Sequence, residues 1–253
     1  MTILGDLQRA LSDLAEARML LVAVDFDGTL APIVPTPMDA RAVPGSIESL
    51  CALAAAPQTA AVIISGRSRQ DLRTLTGAPT GVDLVGSHGM EFATGFAVAL
   101  TAVQQQLLEL LSTTSTALTD RFPGMSVECK PASVAVHLRN VAPTLRDHAT
   151  QTVNQELVAL SGVQVTRGKF VIELAVIDTD KGSAIDLLRA RVGAEAVLFI
   201  GDDTTDEKAF ARLSDHDVGL KVGPGITQAQ LRVGDPHEVA ALLSELARLR
   251  VHR

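Results

Sequence analysis

The stretch Leu20-Leu21-Val22-Ala23-Val24-Asp25-Phe26-Asp27-Gly28-Thr29 decides the fold. Its five apolar residues, 20–24, show no polar alternation, so they read as a strand buried on both faces, the kind found in parallel sheets covered by helices. Carboxylates and an Asp-Gly turn come immediately after, so polar chemistry begins where the strand stops. Working outward, the same grammar recurs. Upstream, Leu4, Leu7, Leu11 and Leu14 mark one helix face at spacings of three and four. Downstream come a helix with Ile47, Leu50, Cys51 and Ala54, a buried run at 60–64, a helix with Leu72 and Leu75 stopped by Gly77, and a strand at 82–85. From Lys181 the pattern resumes with a helix, the run 197–200, a helix at 207–213 and a strand at 218–222. Asp235, Pro236 and Glu238 are start signals for a last helix, whose buried stripe is Val239, Leu242, Leu243, Leu246 and Leu249. This β-α-β repetition predicts an α/β fold with a Rossmann-like parallel sheet between helical layers.

Between these halves the rhythm changes. Val103, Leu107, Leu110 and Leu118 suggest one helix face, and Leu145, Ala149, Val153, Leu157 and Leu160 another. Residues 127–139 alternate with period two, interrupted near Pro131, and Gly168-Lys169 reads as a hairpin turn between runs at 163–167 and 170–175. An inserted α+β cap domain is therefore expected at 96–177, inside a parallel-sheet core of 1–95 and 178–253, with hinges near residues 95 and 177. Glu128 and Lys130 fall on one strand face, Ser133, His137 and Arg139 on one face of the next run, and Glu173 opposite Phe170, Ile172 and Leu174. Val134, Val136 and Leu138 point the other way, toward helices. A sheet face of charged donors and acceptors suits a lid over a polar ligand; taken alone it reads equally well as a solvated face. Cys129, opposite Glu128 and Lys130, is expected to be packed.

Composition removes other classes. The chain has 253 residues, 47% hydrophobic and 20% charged, which excludes disorder and low complexity. Twenty-two basic against 29 acidic residues give a net charge of −7, so a broad nucleic-acid or anionic-lipid surface is not expected. Two cysteines give no disulfide framework and no thiolate metal site, and six histidines lack paired spacing. Seven Phe with no Trp or Tyr leave little for stacking on bases or sugars. Residues 1–19 are amphipathic and charged rather than signal-like, and no apolar run approaches the ~20 residues that span a bilayer. A soluble cytoplasmic monomer is expected.

In an open parallel sheet, ligands bind beyond the carboxyl ends of the strands. Three buried runs lead at their carboxyl ends into Asp25-Phe26-Asp27-Gly28-Thr29, Ser65-Gly66-Arg67 and Gly201-Asp202-Asp203-Thr204-Thr205-Asp206-Glu207. Aspartates gathered at one sheet edge repel one another unless a cation sits among them, and hard carboxylate oxygens without nearby His or Cys favour Mg2+ over zinc. Lys181 alone, before Gly182 at a helix start, reads as a solvated lysine.

This order of motifs resembles the haloacid-dehalogenase superfamily of phosphotransferases: Asp25-x-Asp27-Gly28-Thr29, then Ser65, then Lys181, then Gly201-Asp202-Asp203. The resemblance implies that Asp25 attacks phosphorus, that Asp27 serves as acid and then base, and that Ser65, Gly66 and Arg67 hold the phosphoryl oxygens. It also implies that Lys181 offsets charge, and that Asp25, the Asp27 carbonyl and Asp202 bind Mg2+ with Asp203 and Asp206 close by. Within the superfamily the chain is similar to trehalose-6-phosphate phosphatases. The match runs over residues 20–243 through Ser87-His88-Gly89-Met90-Glu91, Glu128-x-Lys130 with Ser133, His137 and Arg139, the pair Lys169 and Glu173, the fourth motif on to Phe210, residues 220–223, Thr227, and Asp235-Pro236-x-Glu238-Val239. That implies a Mg2+-dependent phosphatase making trehalose from trehalose 6-phosphate through an aspartyl phosphate, with docking to a sugar-phosphate synthase an open partner question. Glu128, Lys130 and Glu173 would grip sugar hydroxyls, while His88 and Arg139 would lie nearer the sugar-phosphate. A phosphatase for another sugar phosphate, a phosphosugar mutase and a non-catalytic sensor remain the rivals.

Overall fold

The computed structural model describes residues 3–251 apart from 94, 97–99, 169, 178 and 179, with the side chains of 3, 4, 95 and 96 also left aside. It divides into two compact units, residues 1–97 with 179–253, and residues 98–178. The first unit begins α1 (Ile3–Glu16), β1 (Leu20–Val24), α2 (Ser46–Ala55), β2 (Thr59–Ile64), α3 (Arg69–Thr76) and β3 (Asp83–Val85). A small hairpin comes next, β4 (Glu91–Phe92) with β5 (Gly95–Phe96). The second unit holds α4 (Ala102–Arg121), β6 (Ser126–Lys130), β7 (Ser133–His137), α5 (Pro143–Val153), β8 (Gln164–Gly168) and β9 (Val171–Ala175). The first unit then resumes with α6 (Lys181–Val192), β10 (Ala196–Gly201), α7 (Glu207–Phe210), β11 (Val218–Val222), β12 (Leu231–Val233) and α8 (Pro236–Val251).

Six parallel strands form the sheet of the first unit, in the order β12-β11-β10-β1-β2-β3. Every residue of β1 is buried, because successive side chains enter different cores. Leu20, Val22 and Val24 pack with residues of α1, α2 and α8, such as Leu14, Leu50 and Leu243. Leu21 and Ala23 pack with Ile185 and Leu188 of α6 and Phe210 of α7. Helix starts are set by side-chain chemistry. Ser68 caps α3 by accepting from the Asp71 N–H, and Asp180 caps α6 in a capping box with Ser183. Asp235 caps α8 through the N–H groups of His237 and Glu238, but the Glu238 carboxylate reaches back to the Gly234 N–H rather than to the cap residue itself.

The second unit is an antiparallel sheet, β6-β7-β9-β8, with α4 and α5. Its register pairs Glu128 with Ala135 and Ala135 with Glu173, so one face carries Glu128, Lys130, Ser133, His137 and Glu173. Val134, Val136, Ile172 and Leu174 are buried on the other face. Several expectations need correcting. The buried face of α4 is Leu111, Ser115 and Leu118, with Val103 and Leu110 exposed. Leu145 is exposed at the head of α5 while Ala149, Val153 and Leu157 are buried. Cys129 does point away from Glu128, its Sγ lying 3.1 Å from Ser112 Oγ, yet it stays exposed because β6 is the sheet edge. Arg139 lies past the end of β7, exposed in the turn beyond it rather than on the strand face. Phe170 belongs to the hairpin turn, at φ 64°, with its ring 4.4 Å from the Arg146 guanidinium. Lys169 lies outside the described residues.

Candidate active site

Where the chain turns decides where chemistry can sit. From β1 it proceeds outward to β2 and β3 on one side, and later returns to β10, β11 and β12 on the other. Such a reversal leaves a crevice beyond the carboxyl ends of β1 and β10, the usual ligand position in open α/β sheets. Asp25 stands there, its N–H still in the ladder through a 2.9 Å bond to Ile200 O. Gly201 ends β10 and delivers Asp202 beside it. Ser65 continues β2, donating its N–H to Val85 O.

Lys181 is the hub of this crevice. It opens α6, its side chain only 3% exposed, and its Nζ donates at 2.6 Å to both Asp25 Oδ1 and Asp206 Oδ1. The other oxygen of Asp206 accepts the N–H groups of Asp202 and Asp203, both at 2.9 Å. Asp206 thus clamps the loop after β10 onto the lysine. Burial disfavours the Lys181 ammonium, but Asp25 and Asp206 outweigh it and hold its pKa above the usual value. Burial is likewise the main influence on Asp25, pushing its carboxyl well up against the pull of Lys181, with repulsion from Asp206 and Asp202 adding to it. Asp202 is pushed up to about 6, chiefly by burial and then by Asp206.

One carboxylate oxygen each from Asp25, Asp202 and Asp206 lie within 4.8 Å of one another. Three crowded hard oxygen donors served by one ammonium suit a divalent cation. The backbone is shaped around them. Gly28, at φ 80°, is where any Cβ would run into the Asp202 carboxylate, and a Cβ on Gly201 would run into that of Asp206. Since both Asp206 oxygens are already engaged, Asp25 and Asp202 are the better fitted ligands. Asp203 is exposed and outside the cluster; its Oδ1 accepts the Thr204 N–H at 2.6 Å. Lys221, buried on β11, donates its Nζ to the Asp202 carbonyl; the family resemblance includes Lys221 in the matching stretch 220–223 but gives it no role at the site.

The second carboxylate after β1 has a different neighbour. Both oxygens of Asp27 accept from the Arg67 guanidinium, at 2.6 and 2.7 Å. Ser65 is buried, with its Oγ accepting the Arg67 N–H at 3.2 Å. The loop after β3 braces this segment: Ser87 N–H donates to Arg67 O, and His88 N–H to Ser65 O. Ser87 and His88 take φ of 50° and 56°, a left-handed conformation that costs non-glycine residues roughly 1 kcal/mol each or more. The imidazole of His88 occupies the space where a Gly66 Cβ would fall, 2.5 Å away, so glycine is required for this packing.

In the second unit, Glu173 Oε1 accepts from Lys130 Nζ at 3.1 Å and from Ser133 Oγ at 2.8 Å. Those side chains are 8% and 13% exposed for Lys130 and Glu173, against 43% and 40% for Glu128 and His137. Glu128 Oε2 lies 3.2 Å from His137 Nε2, and that hydrogen bond, against the effect of burial, is the main reason the Glu128 carboxyl sits below its usual range. No helix among the described residues is long and apolar enough to cross a membrane.

A parallel sheet whose switch point gathers an acidic cluster around a buried lysine defines a phosphatase fold of the haloacid-dehalogenase type. The chain belongs to the trehalose-phosphatase family, whose model matches residues 23–240. It is 37% identical over 94% of its length to the trehalose-phosphate phosphatase of Mycobacterium leprae, of which it spans 60%. It is 35% identical over 93% of its length to the bifunctional trehalose-6-phosphate synthase/phosphatase of Thermoproteus tenax, of which it spans 33%. The chain therefore covers less than two thirds of these curated relatives. The C-terminal domain of Candida albicans trehalose-6-phosphate phosphatase has the same fold, with a TM-score of 0.77 at 23% identity over 96% of this chain and 97% of that one.

Proposed function

We propose that this chain is a cytoplasmic, Mg2+-dependent phosphatase that hydrolyses trehalose 6-phosphate to trehalose and phosphate. The observation that carries the proposal is the Lys181 hub joining Asp25 to the loop that holds Asp202. Asp25, Asp202 and the Asp27 carbonyl would hold the metal. When bound, Mg2+ would lessen the repulsion between a carboxylate nucleophile and a phosphate dianion.

The residues divide the work. Asp25 forms a bond from a carboxylate oxygen to phosphorus as the bond to the sugar oxygen breaks, and Asp27 gives that oxygen its proton. Water then attacks phosphorus, the Asp25–phosphorus bond breaks, and the proton lost by water returns to Asp27. Lys181 offsets negative charge throughout, where a transferred phosphoryl group needs positioning and neutralisation most. Ser65 and the backbone at Gly66 hold the phosphoryl oxygens, and His88 packs over that loop. Glu128, Lys130 and Glu173 of the second unit, with Arg139, would supply sugar recognition. Residues 96–177 serve as the specificity cap in this reading and 1–95 with 178–253 as the catalytic core. The chain works as a monomer in this proposal, and the fused synthase of the T. tenax relative supports docking to a sugar-phosphate synthase.

Phosphate release from trehalose 6-phosphate, sucrose 6-phosphate and glucose 6-phosphate, each with Mg2+ and with chelator, tests it. Mg2+-dependent release from trehalose 6-phosphate, well above the others, is expected. Preference for another sugar phosphate would discard the substrate, and release unaffected by chelator would discard the metal.

A further inference from the structure

Resemblance places Arg67 among phosphate ligands; its geometry gives it different work. Its Nε donates to Asp27 Oδ2 at 2.6 Å and its Nη2 to Asp27 Oδ1 at 2.7 Å, the two parallel bonds of a bidentate pair. The same Nη2 also donates to Pro37 O at 2.7 Å. The guanidinium carbon lies 5.7 Å from the Phe26 ring centroid, and the side chain is 12% exposed. A guanidinium has five N–H donors in a fixed fork. Three are spent within the protein, and the forked edge is turned to a carboxylate. The main chain is tied down as well, with the N–H on Ser65 Oγ and the carbonyl on Ser87 N–H.

We propose that Arg67 is a positioning residue that acts on the reaction through Asp27, not a ligand of the transferred phosphate. This rests on the phosphatase reading above. Asp27 precedes Gly28, in a loop after β1 where a short side chain has several rotamers open to it. A bidentate grip fixes both its oxygens at once. Because Arg67 is anchored to the Ser65 loop, it sets the distance between the group that holds phosphate and the group that moves the proton. Pro37 O, on the loop after β1, completes the grip. A misplacement of about 1 Å in such a group can cost on the order of a hundredfold in rate.

The test uses the full chain with p-nitrophenyl phosphate and Mg2+, so that sugar recognition plays no part. Arg67→Ala is expected to lower kcat about 10- to 100-fold while the inhibition constant for inorganic phosphate stays within about twofold. Asp27→Asn/Arg67→Ala is expected to be no slower than Asp27→Asn, because residues acting as one unit are not additive. Arg67→Lys, which keeps the charge but not the fork, covers the case of a poorly folded alanine variant and is expected to lose kcat by the same route. Weakening of phosphate inhibition in parallel with KM, losses that multiply in the double variant, or unchanged kcat in both single variants would each overturn the inference. Wild-type chain that releases no phosphate would instead overturn the phosphatase reading, and this inference with it.

Discussion

Replacing Lys181 by alanine removes the ammonium that Asp25 and Asp206 share, and its cost can be worked from the distances. Each 2.6 Å contact carries an attraction of about 6 kcal/mol at an effective dielectric of about 20. Most of that is cancelled in the intact protein by the cost of taking three charges out of water. Removing one partner leaves the cost without the gain, and breaking a buried pair in this way destabilises by roughly 3–5 kcal/mol. For a unit of this size, each kcal/mol moves Tm by roughly 2–4 °C, so a fall of about 10 °C is expected. The pH dependence of this loss has a definite sign. Without the lysine, whose pull works against burial, the Asp25 carboxyl rises further above its unfolded value, so the folded variant binds more protons than the unfolded chain near neutrality. Its stability then falls as pH rises from about 4 through that raised value, and the deficit against wild type is largest near pH 7.5 and smallest near pH 5. Thermal melts in chelator at both pH values check this. Activity should fall about 100-fold or more even where the variant is folded. A variant with wild-type Tm at pH 7.5, or a deficit that grows toward pH 5, would show that Lys181 does not hold the buried carboxylates in this way.

The same geometry predicts other outcomes. Mg2+ should bind more weakly at pH 5.5 than at 7.5 by titration calorimetry, because Asp202, pushed up to about 6, must lose its proton to serve as a ligand. Glu128→Ala should reduce kcat/KM for trehalose 6-phosphate by tenfold or more while leaving an aryl phosphate nearly untouched; equal losses on both would make the residue structural. Asp217 is held below the usual carboxylate range: burial opposes its charge, but Arg189, Ser214 and the Val197 N–H outweigh it. Asp217→Asn should therefore cost about 1–3 kcal/mol at neutral pH, a loss that shrinks as pH falls through the lowered carboxyl value, and urea melts at pH 7 and 4 would show it. Arg250→Ala should destabilise by roughly 3 kcal/mol with activity retained, since the buried guanidinium serves carbonyls of Ala15, Ala17, Pro57 and Gln58.

The sheet was legible because strands buried on both faces leave an unmistakable apolar run, and because polar residues follow directly where β1, β2 and β10 end. Lys181 could be read only through motif order, since its local sequence is that of an ordinary helix start. The face of α4 could not be read, because Leu107, Leu108, Leu110 and Leu111 offer leucine to more than one side and tertiary packing chooses 111. Between Asp203 and Asp206 the choice falls to turn chemistry: Asp203 bonds the next residue's N–H, while Asp206 turns back to two N–H groups and the lysine. The pairing of Arg67 with Asp27 spans 40 residues of sequence, with no periodic signal to announce it. Arg250 looks like any arginine ending a surface helix, and only its bonds to carbonyls at the end of α1 and before β2 explain its burial.

The most direct measurement is acid quench of the chain during turnover of phosphate-labelled substrate with Mg2+, and then peptide mass spectrometry. One phosphoryl group is expected on the peptide carrying Asp25, present in wild type and absent from Asp25→Asn, which keeps its fold and does not turn over. Label on another residue, or full turnover by Asp25→Asn once deamidation is excluded, would contradict this expectation.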